Sequence, residues 1–177
     1  MTAKKLSLFI LAGVFFLGNV SFRHDPAKEK EYLLKAAFIY RFSDYIDWNG
    51  YDAETFNIVV LGESGIVEPL LEISKNKRIK DKRINVRQTN NPDNIGNCHI
   101  VFVSRNWKYP ISSVTSLLDY KPTLIITEQK DDFPKGGQIN FLISDNKLKF
   151  QVDLKSTSRS GLKISSQLLQ HAIDIKR

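Results

Sequence analysis

Histidine and cysteine are the first places to look for chemistry. This chain of 177 residues holds three histidines, His24, His99 and His171, and one cysteine, Cys98. No two histidines stand four residues apart, so no helix turn can present a pair to one metal. Cys98 and His99 are neighbours on an apolar run, and adjacent strand residues point to opposite faces. They cannot chelate one ion together. No C-x-x-C, H-E-x-x-H or G-x-S-x-G occurs. The pattern offers no catalytic residue, metal site or cofactor site, and the chain is not expected to be an enzyme. A single cysteine cannot form an internal disulfide. Within CHIVFV it reads as a buried thiol, with pairing between two chains left open.

Phosphate binding is the next chemistry to test. Phe56 to Leu61 (FNIVVL) reads as a strand, and Gly62-Glu63-Ser64-Gly65 follows it before a helix. A nucleotide-binding fold puts its loop at that place. The loop is neither G-x-G-x-x-G nor a P-loop, and Glu63 would repel a phosphate. It reads as a glycine turn with Ser64 capping the next helix.

Cations gather between Lys75 and Arg87. Lys75, Lys77, Arg78, Lys80, Lys82, Arg83 and Arg87 face one acid, Asp81. A solvated helix end explains part of this, because a helix C-terminus favours cations. The alternative is contact with lipid head groups, anionic glycans or an acidic partner. Arg159, in the serine-rich turn STSRS, is a second cation able to grip a carboxylate or phosphate. The glycines of FPKGGQINF need only a tight turn or a close backbone approach.

These residues must be positioned by regular elements. Pro26 to Trp48 reads as a long helix, with Leu34, Phe38, Phe42, Tyr45 and Ile46 at three- and four-residue spacing. Ala37 and Tyr40 widen that stripe, which reads as core, and Asn49-Gly50 reads as its stop. Strands are expected at Phe56–Leu61, Arg83–Gln88, Cys98–Val103, Thr123–Thr127, Gln138–Ile143 and Lys147–Val152. Helices are expected at Gly65–Lys75, Pro110–Leu118 and Ser160–Lys176, the last capped by Ser158 or Ser160. Asp145-Asn146 makes a hairpin of the last two strands. The alternation argues for one α/β domain over residues 25–177: a mixed, mostly parallel sheet flanked by helices, with a C-terminal β-hairpin and a final helix.

The N-terminus reads as an address. Lys4 and Lys5 precede thirteen uncharged, mostly apolar residues, Leu6 to Gly18, and a polar stretch follows. A spanning helix needs roughly 20 apolar residues, so residues 1–21 read as a secretory signal peptide. Gly18, Val20 and Ser21 permit cleavage near residues 18 to 22 without fixing the bond. Removing residues 1–21 leaves 156 residues, enough for one core. It also removes Lys4 and Lys5, taking the net charge from +7 to +5. A periplasmic location follows, and export argues against nucleic acid as a partner. A modest positive charge leaves contact with a membrane surface open.

The order of the segments carries a resemblance. An opening helix YLLKAAFIYRFSDYIDW is followed by FNIVVLG, RINV and CHIVFVS. LIITE, FPKGGQINF, FQVDL and SGLKISSQLL come after. Across about residues 30–175 this resembles the YfiR family. Asn49 stands where a proline is usual after Trp48, and Asp153 where an asparagine is expected. With Cys98 alone, control through an internal disulfide bridge is not available. The resemblance implies a periplasmic α/β domain that acts by binding and has no catalytic residues to carry over. It implies a partner too, the periplasmic part of an inner-membrane signalling protein. A diguanylate cyclase is that partner in YfiR-type systems, where release raises cyclic-di-GMP and favours biofilm; a sensor kinase is the other form.

The expected function is therefore modulation of such a protein by protein–protein contact, with Trp48, Tyr51, Arg78, Lys80 and Arg159 as candidate contacts. A homodimer is left open. The alternative is a periplasmic small-molecule-binding module, with its pocket at the C-terminal ends of the parallel strands.

Overall fold

Asp25 starts the first helix, α1 (Pro26–Tyr45). Its carboxylate accepts from the Ala27 N–H at 3.0 Å and the Lys28 N–H at 3.4 Å, and Pro26 stands in the first turn, where no N–H is needed. A computed structural model describes residues 25–48 and 53–177. The expected signal peptide at 1–21, the Asn49-Gly50 stop and Tyr51 lie outside the described residues.

The first helix is shorter than the spacing predicts. It ends at Tyr45, and β1 (Ile46–Trp48) continues as a strand antiparallel to β9 (Leu162–Ile164). Ile46 and Trp48 are buried with Asp47 exposed between them, so this segment alternates with period two and buries more as a strand. The buried stripe of α1 also differs from the expected one. Tyr32, Lys35, Ala36, Ile39, Phe42 and Ser43 face the sheet. Leu34 and Ala37 face outward.

Eight strands form the main sheet. They are β2 (Thr55–Leu61), β3 (Arg78–Ile79), β4 (Lys82–Thr89), β5 (Ile100–Val103), β6 (Leu124–Thr127), β7 (Ile139–Ser144), β8 (Lys147–Asp153) and β10 (Asp174–Lys176). Their order is β10-β8-β7-β6-β5-β2-β4-β3. Neighbours from β4 to β7 are all parallel, as are β8 and β10. The pairs β7–β8 and β3–β4 are antiparallel hairpins. The first turns at Asp145-Asn146 (φ 53° and 56°), as expected, and the second at Lys80-Asp81 (φ 49° and 65°).

Alternation along β2 divides the interior. Phe56, Ile58 and Val60 join a core with α1 and with α2 (Val67–Asn76). Val59 and Leu61 join a second core under α3 (Ile111–Leu117) with Cys98, Val101 and Trp107. In the first core Phe42 meets Phe150 edge-on at 5.0 Å and stacks on Phe141 at 5.7 Å. Such pairs add about 0.5–1.5 kcal/mol each beyond the area they bury.

The C-terminal segment also differs from its expected form. A helix α4 (Leu154–Arg159) precedes the expected one, and the single helix over 160–176 is replaced by β9, a short final helix α5 (Ser166–Leu169) and β10. Asp153 caps α4 through the Ser156 N–H at 2.8 Å, and Ser165 caps α5 through the Leu168 N–H at 3.4 Å, in place of Ser158 or Ser160. Gly161, at φ +74°, turns the chain between α4 and β9. Pairing with β1 and β8 outweighs helical spacing here, because it buries Leu162 and completes two ladders. Asp153 also explains its difference from asparagine: its Oδ2 lies 2.8 Å from Lys176 Nζ on β10, an ion pair that an amide would not make.

Candidate functional site

The sheet has a switch point. From β2 the chain moves outward to β4, then returns to lay β5 on the other side of β2. In open α/β sheets, ligands sit outside the carboxyl ends of the strands at such a point. Here that edge is built by Gly62–Gly65 after β2, Ser104–Trp107 after β5 and Glu128 after β6.

The Gly62 loop is a turn, as its sequence suggests, but the helix after it begins at Val67 rather than Gly65, and Ser64 does not cap it: the N-cap residue is Ile66, with no side-chain cap hydrogen bond. Gly62 has φ +82°, and a Cβ there would stand 2.6 Å from Ser104 Oγ. Ser64 Oγ accepts from the Ile66 N–H at 3.3 Å, just before α2. Beside this loop Glu63, Asn90, Asn106, Trp107, Lys108 and Tyr109 line a cleft of about 490 Å³. The buried Trp107 indole N–H in its wall has no hydrogen-bond partner among the described residues.

Next to it lies a charge cluster that no sequence motif marks. Lys35 is buried, and its ammonium donates to Glu31 Oε1 and Glu128 Oε2. Arg105 Nη2 lies 2.6 Å from Glu31 Oε1 and 3.1 Å from Glu128 Oε2. The Arg105 N–H donates to Glu128 Oε1 at 2.8 Å, and the Tyr32 hydroxyl donates to the same oxygen at 3.4 Å. Burial pushes the Glu128 carboxyl up, but Lys35 and the Arg105 hydrogen bonds outweigh it, so Glu128 titrates below its ordinary range. Burial, then the Glu128 charge, pushes the Tyr32 phenol up. Both oxygens of Glu128 are engaged, so the cluster ties α1 to the sheet. It floors an open cleft of about 940 Å³, with Phe133 and Asn140 in the walls. The signal for it was Lys35 itself: a lysine inside an apolar stripe, four residues after Glu31.

The proposed contact residues are placed differently from one another. Trp48 was expected as an exposed aromatic and is only 6% exposed. Its indole N–H donates to the His99 carbonyl at 3.0 Å, and its ring meets Phe56 edge-on at 5.2 Å. Pairing of β1 with β9 turns it inward. Lys80 closes over it, with Nζ 5.3 Å from the ring centroid and 3.1 Å from the Ile46 carbonyl. Arg78 is exposed on β3, and Arg159 lies 3.3 Å from Asp119. The structure thus joins Trp48 with Lys80 and gives Arg159 a different partner.

The other sequence candidates are structural. Burial pushes the Cys98 thiol up to about 12. Burial, then Lys82 and Lys80, lowers His99 to about 4, and its Nδ1 accepts from the Asn57 N–H at 3.0 Å. Cys98 belongs to the core under α3, whereas His99 stacks on Phe56 at 4.2 Å in the other. No cluster of three His, Cys, Asp or Glu among the described residues could hold a metal.

An apolar groove lies on the outer side of α1. Leu34, Ala37, Phe38, Tyr45, Phe150 and Leu168 line this groove of about 330 Å³, rimmed by Arg41 and His171. Leu34 is 42% exposed and its neighbour Leu33 52%. The sequence assigned Leu34 and Ala37 to the core; the helix has more apolar residues than one face can bury, and the excess opens to solvent.

The fold is an α/β sheet covered by helices on both faces, with a neutralised charge cluster at its carboxyl edge and an apolar groove along α1. The chain belongs to the YfiR/HmsC-like family, whose model matches residues 32–173. A search of curated proteins found no match. No helix among the described residues is long and apolar enough to cross a membrane.

Proposed function

We propose that this protein is a periplasmic regulator that restrains an inner-membrane diguanylate cyclase by contacting the cyclase's outer domain. Membership of the YfiR/HmsC-like family supports the class. The observation that carries contact as the mode of action is the groove along α1, with Leu33 and Leu34 exposed beside it. On this reading the exposed apolar area is a surface that the partner covers. Regulation then needs only a different affinity for the two states of the cyclase, and no residue of this chain has to react. Residues 1–21 supply export, after which the domain folds without a disulfide.

The test is Leu34→Glu. The side chain is already half in water, so folding is retained, while a charge is placed in the groove. The reading predicts that cells carrying this variant show the raised cyclic-di-GMP of cells lacking the protein. Normal restraint by the folded variant would remove the groove from the account.

A second reading, a small-molecule-binding module, is favoured by one observation. The unpartnered Trp107 N–H borders the cleft at the switch point. Melting shifts with small metabolites test it, and a flat response counts against it.

A further inference from the structure

The edge hairpin β3–β4 departs from ordinary sheet economy. Arg78 and Arg83 are directly opposite each other in its antiparallel ladder. Like charges at such positions repel and destabilise a hairpin. Both are exposed, and neither side chain has an ion pair or hydrogen bond among the described residues. Other cations of the same segment are spent locally. Lys75 pairs with Glu72 at 2.6 Å, Lys82 Nζ lies 2.6 Å from the Ala53 carbonyl, and Arg87 donates to the carbonyls of Asn94 and Ile95. Arg78 and Arg83, with exposed Lys77 beside them, are left facing water as one positive strip.

The backbone beside that strip is open. Strand β4 runs for eight residues, but β3 covers only Lys82 and Arg83. In a two-residue hairpin the closing pair, here Ile79 and Lys82, exchanges hydrogen bonds, so Lys82 points its amide and carbonyl toward β3. Backbone direction alternates along a strand. Ile84, Val86 and Gln88 therefore turn theirs to the same outer edge. The Thr89 carbonyl, at the opposite parity, accepts from the Gly62 N–H at 3.0 Å on the β2 side, which fixes the phase. Beyond Arg83 no strand among the described residues pairs with this edge.

We propose that the β3–β4 edge docks an extended, acidic segment of a partner protein as an added strand. Its backbone would pair with Ile84, Val86 and Gln88, and its carboxylates would neutralise Arg78 and Arg83. An open ladder with matched charge selects a peptide, since strand addition draws affinity from main-chain hydrogen bonds. A lipid head group or a free anion would use the arginines alone. The strip also explains how such an edge stays unpaired in the free protein, since charged edges repel their own copies. This inference adds a second surface to the regulator reading and rests on that reading for the partner being a protein. It is tested on purified protein, so the two fail separately.

The experiment uses the purified protein and a labelled peptide alternating glutamate with valine. A lysine–valine peptide and phosphatidylglycerol vesicles serve as comparisons. Fluorescence anisotropy reads affinity, and amide hydrogen exchange reads which N–H groups become protected. The proposal predicts selective binding of the acidic peptide, weakened by salt and by about tenfold or more in the Arg78→Glu, Arg83→Glu double variant. It also predicts new protection at Ile84, Val86 and Gln88. Binding that ignores charge reversal would overturn it, as would binding without protection at those amides, vesicle binding without peptide binding, or no binding.

Discussion

Lys35 and Glu128 form an ion pair with both side chains out of water, joining the middle of α1 to the end of β6. Arg105 and Glu31 close the arrangement at its solvent side. The cluster stands at the carboxyl edge of the sheet, where many α/β proteins hold a ligand, and here its own charges fill that role. Removing one partner leaves a buried charge alone. Lys35→Ala is expected to cost about 3–5 kcal/mol, read as a lower denaturation midpoint. Replacing Lys35 and Glu128 together with Met and Leu is expected to cost much less, because no charge is then stranded.

Acid acts on the same cluster. The folded-state Glu128 carboxyl titrates below its ordinary value of 4.5. Its stabilising effect is present above that value and is lost as pH falls through the lower folded one. His99 acts over a higher window. Its folded value of about 4 lies below the ordinary 6.5, so the unfolded chain binds the proton first. Stability therefore falls as pH drops from 6.5 toward 4, by on the order of 3 kcal/mol at most. Denaturation midpoints measured against pH check both, and histidine NMR should show the His99 ring neutral at pH 5.5.

Gly62→Ala should destabilise the domain by at least about 1 kcal/mol. The positive φ and the close approach of Ser104 Oγ both oppose a side chain. The same substitution at Gly161, where nothing lies within 4 Å of an added Cβ, meets only the backbone penalty. Thermal unfolding of the two variants should rank Gly62→Ala as the less stable.

Cys98 should be inert in the folded protein. Its thiol is buried and held near 12, so almost no thiolate exists at neutral pH. Intact-mass measurement after maleimide treatment should show no adduct in buffer and one adduct in denaturant. Labelling of the native protein would mean that the core under α3 opens.

Continuous apolar runs made the central strands legible. FNIVVL, IVFV and LIIT are buried on both faces, a pattern that only a covered parallel sheet explains. The Asp145-Asn146 hairpin was legible from its turn residues. The end of α1 and the segment after Asp153 were not, because tertiary pairing decided them: Ile46–Trp48 and Leu162–Ile164 become strands only in each other's presence. The charge cluster forms no sequence motif because its members come from α1, the end of β5 and the end of β6. Trp48 was misplaced for a related reason. Its composition fits an exposed contact, and only the β1–β9 ladder turns it under Lys80.

The most direct test of regulation by contact places a photoreactive residue at position 34 and crosslinks it in intact cells. Captured proteins are then identified by mass spectrometry. The account predicts an adduct with the outer domain of an inner-membrane diguanylate cyclase, lost when Ala37→Glu blocks the groove. A folded, abundant, exported protein that captures no inner-membrane signalling protein from this position would contradict it.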